Sequence, residues 1–363
     1  MEIGIIGLPR SGKTTVFLAL GSDSAREAAA RVHHSDPVVA TVAVHDPRLE
    51  EVARVCKSPK TVHAMIRYTD LPGLPPEQIE RRHGLPDSHL QYLARVDALL
   101  AVIRAFDDGS GVPIQIERDI ESLETELILT DLQRVETRRE KIEKTIQKVS
   151  GKERENAEVE LAGLVKLLDA LNAGRPARGV QLADREEVAF RSLGLVSIKP
   201  IAWALNVDEK STAATPDLTA PLLAKGLGPH AVCVQMNGEM EKEIAELDES
   251  SRAEFLSGYG IGEPAAKRIV ALCFRLLGRI VFFTAAEKEA HAWTLREGAT
   301  ALEAAGTVHS DFARGFIRAE VAAWNDLAAG GGYAGARKNG TLRAEGKSYI
   351  VRDGDVILFL FHS

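Results

Sequence analysis

The sequence predicts an α/β protein in which a parallel sheet is interrupted by a helical insertion and followed by a small mixed β domain. Three observations support this fold class. From residue 1 to about 112, short apolar strands alternate with helical stretches. Residues 117–171 lack proline, are densely charged and carry apolar residues at helical spacing. Strands resume near residue 200 and change style after residue 279.

The first strand, Ile3 to Gly7, leads directly into a glycine-rich loop. Residues 7–15 read GLPRSGKTT and fit the phosphate-binding pattern G-x-x-x-x-G-K-[ST]. Glycines let backbone N–H groups curl round phosphates, Lys13 neutralises the β- and γ-phosphate oxygens, and the hydroxyl of Thr14 can ligate Mg²⁺. A helical stretch, residues 15–20, follows. The alternative is a chance match, but strand, loop and helix all stand in the required order, so we predict a nucleoside triphosphate site.

A second candidate motif follows the strand Met65 to Asp70. The sequence Asp70-Leu71-Pro72-Gly73 has the D-x-x-G form. Asp70 can serve the Mg²⁺ shell, and the backbone N–H of Gly73 can contact a γ-phosphate. A simple turn at the end of a strand is the alternative interpretation. The position after a strand and downstream of a phosphate loop favours the nucleotide role.

A third motif follows the strand Pro200 to Leu205 and concerns the nucleotide base. GTPases use N-K-x-D there, whereas this chain has Asn206-Val207-Asp208-Glu209. Valine replaces the lysine and glutamate stands at the acidic position, which alters the fork that recognises guanine and favours ATP over GTP. The alternative is that Asn206 only caps the next helix.

The helical segment predicts two long antiparallel helices with a break at residues 150–152. Two apolar stripes run along it: Ile120, Leu123, Leu127, Val135, Ile142, Ile146 and Val149, then Leu161, Leu164, Leu168 and Leu171. Basic residues cluster near the tip: Arg134, Arg138, Arg139, Lys141, Lys144, Lys148, Lys152 and Arg154. This cluster suits RNA phosphates, but a solvated face with i, i+4 ion pairs is an equal alternative.

A terminal mixed β domain is predicted by three strands, at Ile280 to Phe283, Ile317 to Val321 and Val356 to Phe361.

The composition limits the classes of protein to which the chain can belong. The chain of 363 residues carries a net charge of −7, so contact with nucleic acid requires a local basic patch. No run is apolar and long enough to span a bilayer, and only three cysteines occur, so we expect a cytoplasmic protein without a disulfide framework.

These motifs resemble those of the YchF or Obg-like ATPases, and the likeness covers nearly the whole chain. The segments that carry it, besides the three motifs, are 46–49 (DPRL), 96–100 (VDALL), 243–247 (EIAEL), 283–285 (FTA), 287–289 (EKE), 292–294 (AWT), 315–320 (GFIRAE) and 353–356 (DGDV). The resemblance implies a P-loop nucleotide-binding domain at 1–116 and 179–278, a coiled-coil insertion at 117–178, and a ubiquitin-like (β-grasp) TGS domain at 279–363. It also implies slow ATP hydrolysis and ribosome association through the coiled coil and TGS domain, with neither a membrane nor DNA as partner.

Residue roles follow from the same resemblance. Nucleotide-binding positions are Gly7, Arg10, Ser11, Gly12, Lys13, Thr14, Thr15, Asn206, Val207 and Glu209. Lys13, Asp70 and Gly73 are the residues expected to act in catalysis, and Thr14 and Asp70 those expected to serve Mg²⁺. Val207 is expected to pack on the face of the adenine.

Several positions depart from the family pattern. Arg10-Ser11 stands where family members usually have Asn-Val, and His34 falls where a switch threonine completes the Mg²⁺ shell. Residues 107–117 contain no histidine to orient water, and Leu74 follows the D-x-x-G motif. We therefore expect slow hydrolysis unless a partner assists. The alternatives are a non-hydrolysing ATP-binding adaptor on the ribosome and a GTPase of the Obg-related class; a small-molecule P-loop kinase fits the C-terminal half poorly.

Overall fold

The computed structural model describes residues 1–30, 36–73, 84–208, 217–228, 230–259 and 261–362. The chain forms two compact units. The first comprises Met1–Val42 and Arg67–Leu276, and the second comprises Ala43–Ile66 and Leu277–Ser363. Within the described ranges, no helix combines the length and the apolar character needed to cross a lipid bilayer.

The described elements are named in chain order. The strands are β1 (Glu2–Gly7), β2 (Val38–Val44), β3 (Thr61–Val62), β4 (Ala64–Asp70), β5 (Ala98–Ala105), β6 (Ile201–Val207), β7 (Ala231–Met236), β8 (Arg279–Ala285), β9 (Ala290–Arg296), β10 (Phe316–Ala323), β11 (Arg343–Glu345) and β12 (Asp355–Phe361). The α-helices are α1 (Lys13–Ala30), α2 (Pro47–Cys56), α3 (Asp87–Leu93), α4 (Ile116–Thr145), α5 (Gly151–Asn172), α6 (Asp184–Phe190), α7 (Thr219–Lys225), α8 (Gly238–Glu246), α9 (Glu249–Gly258), α10 (Ala265–Leu276), α11 (Ala301–Val308), α12 (Ser310–Arg314), α13 (Trp324–Ala329) and α14 (Tyr333–Lys338).

The first unit is built on a sheet with the strand order β2-β4-β1-β5-β6-β7. The pairs β1–β4, β1–β5, β5–β6 and β6–β7 are all parallel. Every residue of β5 and β6 is buried, as expected for central parallel strands covered on both faces. The predicted α/β class with a parallel sheet is therefore confirmed for this unit.

The predicted hairpin of long helices is also present in the first unit. Helices α4 and α5 are joined by residues 146–150 and share an apolar core that includes Val135, Ile142, Leu164 and Leu168. At the base of the hairpin, the fully buried carboxylate of Asp131 accepts hydrogen bonds from the backbone N–H groups of residues 196 and 197, at 2.8 and 2.7 Å. These bonds fix the hairpin to the segment that leads into β6.

The second unit contains a mixed sheet with the order β11-β10-β12-β8-β9-β3. The pairs β10–β12 and β8–β9 are antiparallel, whereas β8 and β12 are parallel. Its core includes Phe282, Leu295, Val321 and Phe359. The predicted mixed β domain is therefore present, while its assignment as a ubiquitin-like TGS domain stays a prediction.

Residues 43–66 pack with the second unit, although they lie in the first part of the chain. The division into a nucleotide-binding domain at 1–116 and 179–278, an insertion at 117–178 and a terminal domain at 279–363 stays a prediction from the resemblance. Helix α2 contacts β8, β9 and α13, and β3 pairs with β9 through Thr61 and Ala290. The buried residues Leu49 and Val52 make α2 amphipathic. A local apolar pattern indicates that a helix face is covered, but it does not indicate which sheet covers it.

Candidate functional site

The three sequence motifs of the first unit follow strands whose carboxyl ends lie at one edge of its sheet. Parallel pairing aligns Ile5 of β1 with Asp70 of β4, and Asn206 of β6 with Met236 of β7. Ligands of open parallel sheets bind at this edge, beyond the carboxyl ends of the strands. The sheet therefore brings the phosphate loop, the D-x-x-G motif and the altered base motif to one place.

Two residues of the phosphate loop, Arg10 and Gly12, have a left-handed backbone conformation. Gly12 has a φ of 85° and Arg10 a φ of 65°, both in the left-handed region, which costs little for glycine and more for arginine. Helix α1 begins at Lys13, so its free N–H groups face the loop. The ammonium group of Lys13 is buried and donates to the carbonyl of Leu8 at 3.1 Å. The backbone of the loop thus surrounds the positively charged ammonium group of Lys13 before any nucleotide binds.

Thr14 and Asp70 form the centre of the candidate Mg²⁺ site. The hydroxyl of Thr14 donates to Oδ2 of Asp70 at 2.9 Å. Burial raises the pKa of Asp70 to about 6, although the Thr14 hydrogen bond and the charge of Lys13 act in the opposite direction. Burial likewise lowers the pKa of Lys13, against the raising effect of Asp70. Oδ1 of Asp70 is buried without a hydrogen-bond partner among the described residues. An unpaired buried carboxylate oxygen beside a hydroxyl fits a hard cation such as Mg²⁺.

The D-x-x-G segment is held close to Lys13, partly by a residue that the sequence analysis missed. A Cβ atom on Gly73 would lie 3.3 Å from Nζ of Lys13, so the glycine allows a close approach of the backbone. His89 on α3 is buried, and its Nε2 lies 2.8 Å from the carbonyl oxygen of Pro72. Burial lowers the pKa of His89, and the neutral ring can donate from Nε2. His89 therefore orients the backbone between Asp70 and Gly73.

Asn206 connects the base motif to the phosphate loop. Its side-chain amide is buried and donates from Nδ2 to the carbonyl of Ser11 at 3.1 Å, while Oδ1 accepts from the N–H of Gly238 at 2.9 Å. A Cβ on Gly12 would lie only 2.2 Å from Nδ2, so Gly12 must lack a side chain for this bridge to form. Both of these hydrogen bonds form a bridge between the loop and the start of α8, which differs from the alternative interpretation of Asn206 as a cap of the next helix.

Replacing Asn206 with alanine is expected to loosen the loop. The change leaves two buried backbone groups without their partners, which typically costs about 1–3 kcal/mol. We expect the denaturation midpoint to fall and nucleotide affinity to drop about tenfold, because the loop is no longer fixed in its binding shape. Asn172→Ala, at an exposed position on α5, is the matched control. Equal nucleotide affinity in the two variants would show that the bridge does not organise the loop.

A cavity of about 280 Å³ lies beside this bridge in the first unit. Its lining includes Gly12, Thr15, Asn206, Val207 and Asp208. The sequence analysis missed further lining residues: Phe106, Asn237, Glu239, Met240, Glu243, Phe255 and Tyr259. The rings of Phe255 and Tyr259 stack with centroids 4.6 Å apart, and Thr15 donates to Glu239 at 3.4 Å. Apolar and aromatic walls with a few carboxylates suit a flat heterocyclic base bearing an amino group.

The place of residues 237–240 in the site could have been predicted from the order of the strands in the sheet. Strand β7 is the neighbour of β6, and its carboxyl end must therefore lie next to Asn206. The side chain of Asn237 caps α8 by accepting from the N–H of Met240 at 3.0 Å. By contrast, the aromatic residues of α9 reach the cavity through tertiary packing, which no local pattern indicates.

Comparison with known proteins finds matches in both halves of the chain. The family model MMR_HSR1 ("50S ribosome-binding GTPase") matches residues 2–152, and the model YchF-GTPase_C ("Protein of unknown function (DUF933)") matches residues 279–362. The protein named Ribosome-binding ATPase YchF from Bacillus subtilis (strain 168) is 37% identical, covering 100% of this chain and 99% of that protein. Obg-like ATPase 1 from Caenorhabditis elegans is 31% identical, covering 100% of this chain and 92% of that protein. The chain belongs to the YchF/Obg-like ATPase family.

Comparison with a solved structure confirms that this chain has the fold of the family. The Schizosaccharomyces pombe YchF GTPase superposes with a TM-score of 0.82 at 25% identity, covering 99% of this chain and 97% of that one. The resemblance inferred from the motifs is thus confirmed, as is a P-loop domain followed by a YchF-type C-terminal domain.

Arg10, where this chain departs from the family pattern, contacts the segment that follows β5. Its guanidinium pairs with the carboxylate of Asp108 at 3.2 Å, and its side chain is 62% exposed. Arg104, which is buried, donates to the carbonyls of Phe106, Val112 and Pro113 at 3.2, 3.0 and 2.9 Å. These bonds fix the segment in which the resemblance predicts a histidine and this chain has none.

Three positions that the sequence analysis singled out, Glu209, His34 and Leu74, lie outside the described residues.

In the basic cluster of the hairpin, four cations form ion pairs with glutamates: Arg138 with Glu160, Arg139 with Glu143, Lys144 with Glu140, and Arg154 with Glu158. These pairs favour a solvated helix face at those four positions and leave Lys141, Lys148 and Lys152 as the better candidates for contact with RNA.

Proposed function

We propose that this chain binds and slowly hydrolyses ATP with Mg²⁺, preferring ATP over GTP, and that it acts as a ribosome-associated regulatory ATPase in the cytoplasm. The observation that carries the proposal is the arrangement of Lys13, Thr14 and Asp70 at the N-terminus of α1. It joins a buried cation, a hydroxyl and a carboxylate with an unpaired oxygen within one phosphate loop. Relatives named ribosome-binding ATPases, at 35–37% identity over the full chain, support the ribosome as partner.

The residues of the loop have separate roles in this proposal. Lys13 stabilises negative charge on the β- and γ-phosphates, and the backbone N–H groups of residues 10–15 hold the phosphate oxygens. Thr14 and Asp70 hold Mg²⁺, which when bound neutralises phosphate charge. Gly73 contacts the γ-phosphate through its backbone N–H, so that the segment after it responds to the presence of that phosphate.

The base preference rests on the cavity beside Asn206. Val207 is buried and presents an apolar surface where GTPases carry the lysine of N-K-x-D. The carboxylates of Asp208, Glu239 and Glu243 line the same space and can accept from the amino group of either purine. The proposed preference for ATP over GTP therefore rests on Val207 in place of the lysine and on the altered acidic position of the motif.

Slow turnover is supported by the groups that surround the site. Residues 107–117 contain no histidine, and the imidazole of His89 is engaged with the carbonyl of Pro72. Because the histidine that the family places in this segment has no counterpart in this chain, we expect a partner to supply the group that orients the attacking water. This observation also favours a second candidate, an adaptor that binds ATP without hydrolysing it.

Single-turnover phosphate release separates the two candidates. The full chain is mixed with limiting ATP and Mg²⁺, with and without ribosomes, and compared with Lys13→Ala. The ATPase proposal expects release above that of the variant, rising when ribosomes are present. Release equal to that of Lys13→Ala under both conditions would support the adaptor instead.

A further inference from the structure

Three side chains outside the nucleotide site converge in the second unit. His45, Glu50 and His63 each offer one ligand atom, and these three atoms lie within 4.8 Å of one another. Nε2 of His63 is 3.4 Å from Oε1 of Glu50, and the rings of His45 and His63 have centroids 5.4 Å apart. We propose that these residues form a binding site for a divalent transition-metal ion, with zinc as the best match.

The local fold explains why the first two residues meet. Asp46 is the N-cap of α2, and its side chain accepts from the N–H of Arg48, with Pro47 in the first helical position. His45 is therefore the residue before the cap, and Glu50 is the fourth helical residue. Side chains at these two positions approach each other at a helix start, where apolar residues form the hydrophobic staple. Here an imidazole and a carboxylate occupy the pair.

Strand pairing brings the third residue to the same place. His45 directly follows β2 and His63 directly precedes β4, and these two strands are neighbours in their sheet. His63 also follows β3, which is paired with β9. The donors thus come from a helix start and two strand ends.

The chemistry of the three donors suits zinc more than Mg²⁺. Two imidazoles and one carboxylate are a set that Zn²⁺ binds, whereas Mg²⁺ prefers oxygen. With metal–ligand bonds of about 2.0–2.1 Å, donors of a tetrahedral site lie about 3.3–3.4 Å apart. The separation of 3.4 Å between Glu50 and His63 already meets this spacing. Bringing in the third donor requires side-chain rotation only, because the side chains of His45 and Glu50 are exposed.

The surrounding groups leave the donors available. Nδ1 of His63 has no hydrogen-bond partner among the described residues, so no protein acceptor or donor fixes the tautomer of the ring. The neutral ring can therefore carry its proton on Nδ1 and present the lone pair of Nε2, the atom that lies 3.4 Å from Glu50. The nearby carboxylate of Asp46 is engaged by the guanidinium of Arg48 at 2.7–3.1 Å. Asp46 is therefore a poor fourth ligand, and water completes the coordination. A bound ion links the residue after β2 to the residue before β4 and so closes the 43–66 segment at its base.

Calorimetric titration of the full chain with Zn²⁺ tests the proposal, with Mg²⁺ in excess to occupy the phosphate-loop site. We expect one tight equivalent in the wild type and at least tenfold weaker binding in Glu50→Gln and in His63→Asn. Glu50→Gln keeps the size of an exposed side chain, so its loss of affinity cannot come from unfolding. The matched control, His309→Asn, changes an exposed histidine that also lies beside a carboxylate, Asp311, and should bind as the wild type does.

Cobalt provides a second readout that reports the ligands. With Co²⁺ as the probe, the wild type should give visible absorption bands of a four-coordinate ion, and Glu50→Gln and His63→Asn should lose them. Zinc should also raise the melting temperature of the wild type but not of these variants. Unchanged affinity and spectra in both variants, or no stoichiometric binding by the wild type, would overturn the site.

Discussion

Lys13→Ala is expected to lose nucleotide turnover while keeping the fold. The ammonium group is the buried cation of the phosphate loop, and removing one preorganised charge contact at a reacting centre commonly costs about 100- to 1,000-fold in rate. We expect a fall of this size in phosphate release and a clear loss of ATP affinity. Both are measured by single-turnover release and equilibrium titration with Mg²⁺.

The control for this variant is Lys144→Ala, which removes a lysine side chain that is 76% exposed and paired with Glu140 on the hairpin. Circular dichroism melts should coincide for both variants and the wild type. The role of Lys13 would be contradicted if Lys13→Ala bound and released phosphate like Lys144→Ala.

Asp70→Asn is expected to weaken the binding of Mg²⁺ at the phosphate loop and so to raise the Mg²⁺ concentration that phosphate release requires. The amide can still accept the hydroxyl hydrogen bond of Thr14, but it removes the carboxylate whose Oδ1 is free for a cation. Changes around a metal site typically cost about 10- to 100-fold in metal affinity or activity. We therefore expect the Mg²⁺ concentration for half-maximal phosphate release to rise by that factor.

The fold should tolerate this change, because burial already raises the pKa of Asp70 and a neutral side chain removes the cost of a buried charge. Asp169→Asn, at an exposed position of α5, is the matched control. An unchanged Mg²⁺ requirement in Asp70→Asn would remove this carboxylate from the proposed metal site.

Much of the first unit could be predicted because its signals are local. The loop at residues 7–15 and the D-x-x-G motif follow apolar strands, and the structure places Asp70 in hydrogen-bond contact with Thr14. Of the helical stripes of the insertion, Val135, Ile142, Leu164, Leu168 and Leu171 lie in the shared core of α4 and α5, whereas Leu123 and Leu127 pack in the core of the parallel sheet. In each case the residue pattern determines both the element and the face that is buried.

The features that were missed depend on contacts distant in sequence. Strand β9 mixes histidine, threonine and arginine with apolar residues, so only its sheet partners reveal it. The return of residues 43–66 to the C-terminal sheet depends on which surface covers α2. Phe255 and Tyr259 reach the cavity because α9 packs beside it, and His89 reaches Pro72 across 17 residues. Such contacts are set by tertiary packing and not by local propensity.

The most direct test of the central claim is competition between ATP and GTP for the full chain in the presence of Mg²⁺. A fluorescent ATP analogue is displaced by each unlabelled nucleotide, and Lys13→Ala serves as the reference for binding outside the loop. The proposed function predicts displacement by ATP at clearly lower concentration than by GTP, with both effects weakened in the variant. Tighter binding of GTP, or equal affinities in wild type and variant, would contradict it.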